Sequence, residues 1–161
     1  MAITIRKAKQ SDCEQILSFI KGLAEYEKLA NEVTANEQLL KDTLFSEKPV
    51  AFVLIAELDG KPAGFALYFY NYSTFLAKPG IYLEDLFVDP KYRGKKVGKS
   101  LLVKLAQIAV EEDLGRFEWS VLDWNEPAIN FYRAMGAIGM DGWTVQRVSG
   151  ESLKQLAQKE T

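Results

Sequence analysis

Apolar positions along the chain change period several times, and each change marks an element. Ile3 and Ile5 alternate with polar neighbours, as in a half-buried strand. Ile16, Leu17, Ile20, Leu23 and Ala24 then fall at helical spacing behind a capping-box pattern, Ser11-x-x-Glu14. Thr34-x-x-Glu37 repeats that pattern ahead of Leu39, Leu40 and Leu44 and predicts a second helix. Two apolar runs, 50–57 and 63–72, flank Asp59-Gly60-Lys61-Pro62, which predicts a hairpin. Residues 81–88 read as a third buried strand. Val97, Leu101, Leu102, Leu105, Ile108 and Ala109 line one face of a helix that ends near Leu114-Gly115. A strand over 117–122 follows, then a helix capped by Asn125 and stopped at Met135-Gly136. Residues 137–148 predict one or two terminal strands, and 151–159 a short helix or tail. The order β-α-α-β-β-β-α-β-α-β implies an α/β fold with a mixed sheet. No repeat or linker interrupts residues 1–161, so a single domain is expected.

Composition narrows the chemistry by what is missing. The 161 residues contain no histidine, which removes Ser-His and Cys-His nucleophilic mechanisms and the commonest metal ligand. Cys13 is the single cysteine, so neither an internal disulfide nor a thiolate metal cluster is available; its expected role is inert packing. No calcium-loop spacing occurs, and no metal is expected. A net charge of −2 gives no bulk case for nucleic acid. The N-terminus lacks a signal-peptide core and no apolar run reaches membrane-spanning length, so the expectation is a cytoplasmic protein without membrane contact.

Charge is concentrated around residues 82–99. Two adjacent carboxylates, Glu84 and Asp85, interrupt the apolar strand, and in regular geometry they face opposite sides. Burying them unpaired is expensive; a cleft for a cationic ligand would offset that. Five of the nine residues from Lys91 to Lys99 are Lys or Arg, and they lead into a long helix. Unpaired N–H groups at a helix start carry partial positive charge, so this segment suits a polyanion such as a phosphate-bearing cofactor. Tyr132 shares a helix face with Ile129 and Met135, which leaves it open between core packing and chemistry.

Three motifs in order, Arg93-Gly-Lys-Lys-Val-Gly98, Asn125-Glu-Pro-Ala-Ile-Asn-Phe-Tyr132 and Gly136-Ala137, resemble the GNAT acetyltransferase superfamily. Tyr82-Leu-Glu-Asp-Leu-Phe-Val88, Trp124-Asn125 and Gly142-Trp143 resemble its spermidine/spermine (diamine) acetyltransferase branch, including the thialysine acetyltransferases. The resemblance spans nearly the whole chain and implies a GNAT fold, a mixed sheet flanked by helices, with acetyl-CoA as cofactor. It implies that the main chain of Leu86, Phe87 and Val88 holds the pantetheine arm. Backbone amides of Arg93, Gly94, Lys95, Lys96, Val97, Gly98 and Lys99 would hold the pyrophosphate, and the turn Asn125, Glu126, Pro127, Ala128 would touch the cofactor too. Glu84 is the implied base, acting through water, and Tyr132 the proton donor to the departing thiolate. Tyr26, Glu27, Glu84, Asp85, Trp119, Ser120 and Asp141 are the implied substrate-binding residues, and a homodimer is the implied assembly.

The chain departs from the family pattern at two places. Lys96 stands where the loop usually has its first glycine, a position that suits a residue with φ > 0. Between Ala137 and Trp143 the segment is short, and Asp141 is its one carboxylate, where polyamine enzymes have a longer acidic stretch. The expected function is therefore transfer of acetyl from acetyl-CoA to a small primary amine by direct attack. The alternatives are an amino acid or thialysine side chain as acceptor, and a non-catalytic acyl-CoA-binding module.

Overall fold

The computed structural model describes residues 1–160. Contacts gather the chain into two compact units, Met1–Leu122 and Asp123–Thr161.

The first unit holds a five-stranded sheet in sequential order: β1 (Ile3–Lys7), β2 (Phe52–Leu58), β3 (Lys61–Ser73), β4 (Lys78–Val88) and β5 (Phe117–Trp119). The first four strands are antiparallel and β5 runs parallel to β4, so the sheet is mixed. The β2–β3 hairpin closes through Asp59 and Gly60 alone, both with positive φ (50° and 78°), the turn whose twist matches that of paired strands. The third strand starts at Lys61, before the run read from the sequence, because Lys61 and Pro62 continue the ladder opposite Leu58 and Glu57.

Helices α1 (Cys13–Tyr26) and α2 (Glu37–Leu44) cover one face. Ile16 and Phe19 pack there with Leu40, Leu44, Val53, Ile55, Phe65 and Phe87, and the Phe19 and Phe65 rings stack at 5.5 Å. Leu54, Ala56 and Leu58, the alternate positions of β2, are buried on the other face, which α3 (Val97–Glu111) covers with Val97, Leu101, Leu102 and Leu105. Cys13 is a buried free thiol, and burial raises its pKa, in keeping with a packing role.

Both predicted capping boxes are displaced. Arg6 grips Asp12 with two bonds of 2.8 and 3.0 Å, and Asp12 accepts from the Lys9 N–H at 2.7 Å. Residues Gln10–Asp12 therefore coil into a 3-10 turn, and α1 starts at Cys13 rather than behind Ser11. Asn36, not Thr34, caps α2; its side-chain oxygen accepts from the Leu39 N–H at 2.9 Å.

In the second unit, α4 (Glu126–Ala134) begins at the predicted cap, with the Asn125 side chain accepting from the Ala128 N–H at 3.4 Å. Gly136 leaves the helix with φ 95°, as a terminating glycine does. The terminal strands expected over 137–148 do not form. That stretch has no ladder partner among the described residues, and Ile138, Trp143 and Val145 are each more than three-quarters exposed. The chain ends in an amphipathic helix, α5 (Gly150–Ala157).

Candidate active site

A bulge in β4 organises the acidic residues. Pairing with β3 runs Leu67 to Asp85 and then Tyr68 to Leu83, so Glu84 is the extra residue with nothing opposite it. This corrects the expectation that Glu84 and Asp85 simply face opposite sides. The extra residue keeps Asp85 in phase with Phe87 on the α1 face while turning Ile81 and Leu83 into the α3 core. An unbroken strand would have driven the Asp85 carboxylate into that second core beside Leu83. This apolar-phase conflict is the one signal of the bulge in the sequence.

α1 brings the third carboxylate. Gly22 lets the helix approach β4 closely; a Cβ there would lie 2.7 Å from the tip of the Phe87 ring. Four residues on, the helix delivers Tyr26 and Glu27, and Lys28 with φ 61° turns the chain away. Burial raises the Glu27 pKa, and the charge of Glu84 raises it further. Burial pushes the Asp85 carboxyl up to about 6, with smaller contributions from Glu84 and Glu27. Glu27, Glu84 and Asp85 thus share one field, set against the negative end of the α1 dipole. None of the three forms an ion pair among the described residues. A cluster of this kind favours a cation supplied from outside.

Ser120 and Trp119 lie at the end of β5. The Ser120 hydroxyl pairs with that of Tyr82 at 2.8 Å, and the Tyr82 ring stacks on Phe69 at 5.2 Å. The Trp119 ring sits 4.9 Å from that of Phe117. The sequence sets Tyr82 in a family motif without a site role, and nothing in the strand pattern distinguishes it from a packing aromatic.

The parallel ladder to β5 stops at Leu83 and Trp119. Beyond it, the β5-facing edge of Leu86, Phe87 and Val88 carries no strand ladder among the described residues. The Phe87 side chain lies in the α1-side core, and Phe87 pairs with Phe65 of β3. The Val88 carbonyl accepts from the Arg93 Nε at 3.2 Å.

The basic loop passes through a 3-10 turn, Pro90–Tyr92, then Arg93, Gly94 (φ 76°) and Lys95 to Lys96, the N-cap of α3. Lys96 occupies the left-handed region at φ 66°, ψ 11°, so the lysine adopts the backbone that a glycine would. The Lys96 side chain does not cap this helix, and the first helical bond runs from the Ser100 N–H to the Lys96 carbonyl at 2.9 Å. The amides of Val97, Gly98 and Lys99 precede that bond and point out of the helix start. Lys96 and Lys99 line a shallow pocket of about 380 Å³ with Ile5, Ser100, Val103 and Lys104. This donor set fits a polyanion.

The remaining predicted site residues belong to the second unit. Asn125, Glu126, Pro127 and Ala128 form the start of α4, where Asn125 is buried as its cap. Tyr132 lies on the same helix, its ring 5.6 Å from that of Phe131. Asp141 is exposed.

The model of the Acetyltransferase (GNAT) family matches residues 11–137. The thialysine N-epsilon-acetyltransferase of Sus scrofa is 38% identical, over 98% of this chain and 99% of its own length. The L-ornithine N5-acetyltransferase of Arabidopsis thaliana is 33% identical, over 94% of this chain and 86% of its own. Among solved structures, an integron cassette protein of V. cholerae superposes with a TM-score of 0.82 at 28% identity, covering 99% of both chains. With the mixed sheet, the splayed fourth strand and the basic loop opening α3, these matches establish that the chain belongs to the GNAT acetyltransferase family and is an N-acetyltransferase of amines.

Proposed function

We propose that this acetyltransferase acts on a compact primary amine carrying one or two positive charges, a short diamine or a lysine-like side chain. The observation that carries the reading is the group of Glu27, Glu84 and Asp85 at the C-terminal end of α1, which lacks any cationic partner among the described residues. Two relatives act, by name, on thialysine and ornithine, both small amino acids with a terminal amine. Asp141 is the one carboxylate of the short 137–143 segment, too little negative charge for a long polycation.

Each residue has a definable task. Asp85 and Glu27 bind the second ammonium, with Tyr26, Trp119, Ser120 and Asp141 as further substrate contacts. Glu84, exposed on the bulge, takes the proton from the attacking amine through water. A base is needed because an amine near pKa 10.4 is about three decades above pH 7.4, and deprotonation costs about 4 kcal/mol. Tyr132, a phenol on α4, gives a proton to the leaving sulfur. Acetyl-CoA would supply the activated acetyl thioester. Its pyrophosphate would sit on the amides from Arg93 to Lys99, its pantetheine on the main chain of Leu86–Val88, with the Asn125–Ala128 turn beside it. The amine attacks directly, because the chain offers no histidine-activated nucleophile.

On this reading residues 1–161 work as a single GNAT domain, and the working assembly is a homodimer. The exposed apolar side chains of Ile138, Trp143 and Val145 support a partner surface in the C-terminal stretch. No helix among the described residues is long and apolar enough to cross a membrane, and the buried reduced thiol of Cys13 suits a cytoplasmic setting.

An acceptor screen with acetyl-CoA and thiol detection tests the assignment. Short diamines and lysine analogues should exceed monoamines of equal length at least tenfold in kcat/KM, an advantage that salt weakens. A kcat/KM for spermine well above that of every short amine overturns it.

A further inference from the structure

The Arg93 side chain does not follow its backbone. Its amide opens the basic loop, yet the side chain folds back over β4. The Nε donates to the Val88 carbonyl at 3.2 Å. The guanidinium carbon stands 5.0 Å from the centre of the Tyr26 ring and 5.9 Å from that of Phe87. One cation therefore spans the end of β4, the loop after it and the last residue of α1.

Glu27 follows Tyr26 directly and caps the helix C-terminus. The backbone closes this helix end: with Lys28 in the left-handed region, the Leu29 N–H donates to the Ala24 carbonyl at 2.8 Å and the Lys28 N–H to that of Glu25 at 3.1 Å. The aromatic face of Tyr26 under the guanidinium ties this closed end to the Val88 carbonyl of β4. Arg93 is not a counter-ion here: it makes no ion pair with Glu27, Glu84 or Asp85, and the carboxylates respond to burial and to one another. The cluster stays uncompensated while its geometry is fixed from outside.

We propose that Arg93 is a positioning residue for the amine: its guanidinium, anchored on the Val88 carbonyl, clamps Tyr26 and so holds Glu27 against Glu84 and Asp85. This rests on the amine-site reading above. It assigns the Arg93 side chain to the acceptor pocket, although its backbone belongs to the loop expected to hold the pyrophosphate. The guanidinium suits the task because it is planar and weakly hydrated, so it stacks on an aromatic face while keeping an N–H for the carbonyl; a lysine ammonium does not combine the two.

The test compares Arg93→Gln, Arg93→Lys, Tyr26→Leu and the Arg93→Gln/Tyr26→Leu double variant with the unmodified protein. Acetyl-CoA affinity is read by calorimetry, and the amine KM and kcat with the best acceptor of the screen. For Arg93→Gln, the amine KM should rise about tenfold, with acetyl-CoA Kd changed less than threefold. Arg93→Lys should recover only part of the loss. The double variant should be no worse than the worse single one, because both remove the same clamp. A tenfold weakening of acetyl-CoA with an unchanged amine KM would assign the guanidinium to the phosphates and overturn the proposal, as would fully additive effects. Should the unmodified protein bind acetyl-CoA yet acetylate no amine, the functional reading fails. The clamp is then judged by urea unfolding of the same four variants, where absence of coupling between positions 93 and 26 overturns it.

Discussion

Replacing Asp85 with asparagine should make the protein more stable and a worse enzyme. The folded structure holds the Asp85 carboxyl up to about 6 from an ordinary 3.8, chiefly by burial and then by the charges of Glu84 and Glu27. Two decades of proton affinity at 1.36 kcal/mol each set an upper limit of about 3 kcal/mol on the penalty of ionising it in the fold; water reaching a half-buried group lowers that to about 1–3 kcal/mol. The sign follows from linkage. Between about pH 4 and pH 6 the folded chain binds more protons than the unfolded chain, so Asp85 makes stability fall as pH rises through that window, and the loss persists above it. Asp85→Asn removes this term. By urea unfolding the variant should gain about 1–3 kcal/mol at pH 7.5 and close to nothing at about pH 3, where the aspartate is largely protonated in both states. Its kcat/KM advantage for diamines over monoamines should fall at least tenfold. A variant destabilised at pH 7.5, or equally stabilised at both pH values, refutes the burial and repulsion assigned to Asp85.

Other outcomes follow from single features. Lys96→Gly relieves a left-handed lysine and should stabilise by about 1 kcal/mol in urea unfolding; a loss of stability means that φ 66° is not strained there. Tyr132→Phe should lower kcat by roughly 10²–10⁴-fold with little change in acetyl-CoA affinity, whereas a kcat near that of the unmodified protein returns Tyr132 to packing. Acetyl-CoA should raise Tm through preferential binding to the folded state, and pantetheine much less; equal shifts would remove the phosphate seat from α3.

What the sequence displays depends on whether a feature is local. The Asp59-Gly60 turn, the buried face of α3 and the Asn125 cap are fixed by neighbours within a few residues, and all three stand where the pattern placed them. The start of α1 is not, because Arg6, brought next to Asp12 from β1, recruits that residue and moves the boundary past Ser11. Residues 137–148 carry strand-like side chains, but a strand also needs an edge to pair with, and no spacing rule reveals whether one is available. In the candidate site the residue types were legible while their grouping was not. The bulge at Glu84 and the approach of α1 allowed by Gly22 bring Glu27 to Asp85 across almost sixty positions, and the fold of Arg93 over Tyr26 leaves no trace in the motif that contains it.

The two helix ends beside β4 account for a chain of net charge −2 that handles both a polyanion and a cation. The start of α3 offers free amides and lysines; the end of α1 offers Glu27 and the carboxylates of the bulge. Backbone dipoles and side chains reinforce one another at each end, so the local fields are strong although the sum nearly vanishes. The acidic end is maintained against the interest of stability, since Asp85 weakens the fold whenever it is ionised and an uncharged residue of similar shape would not. A fold that only stored an acyl-CoA would need the basic end alone. The energetic disadvantage accepted at Asp85 is explicable when a cation arrives to offset it, and in an acetyltransferase that cation is the acceptor amine.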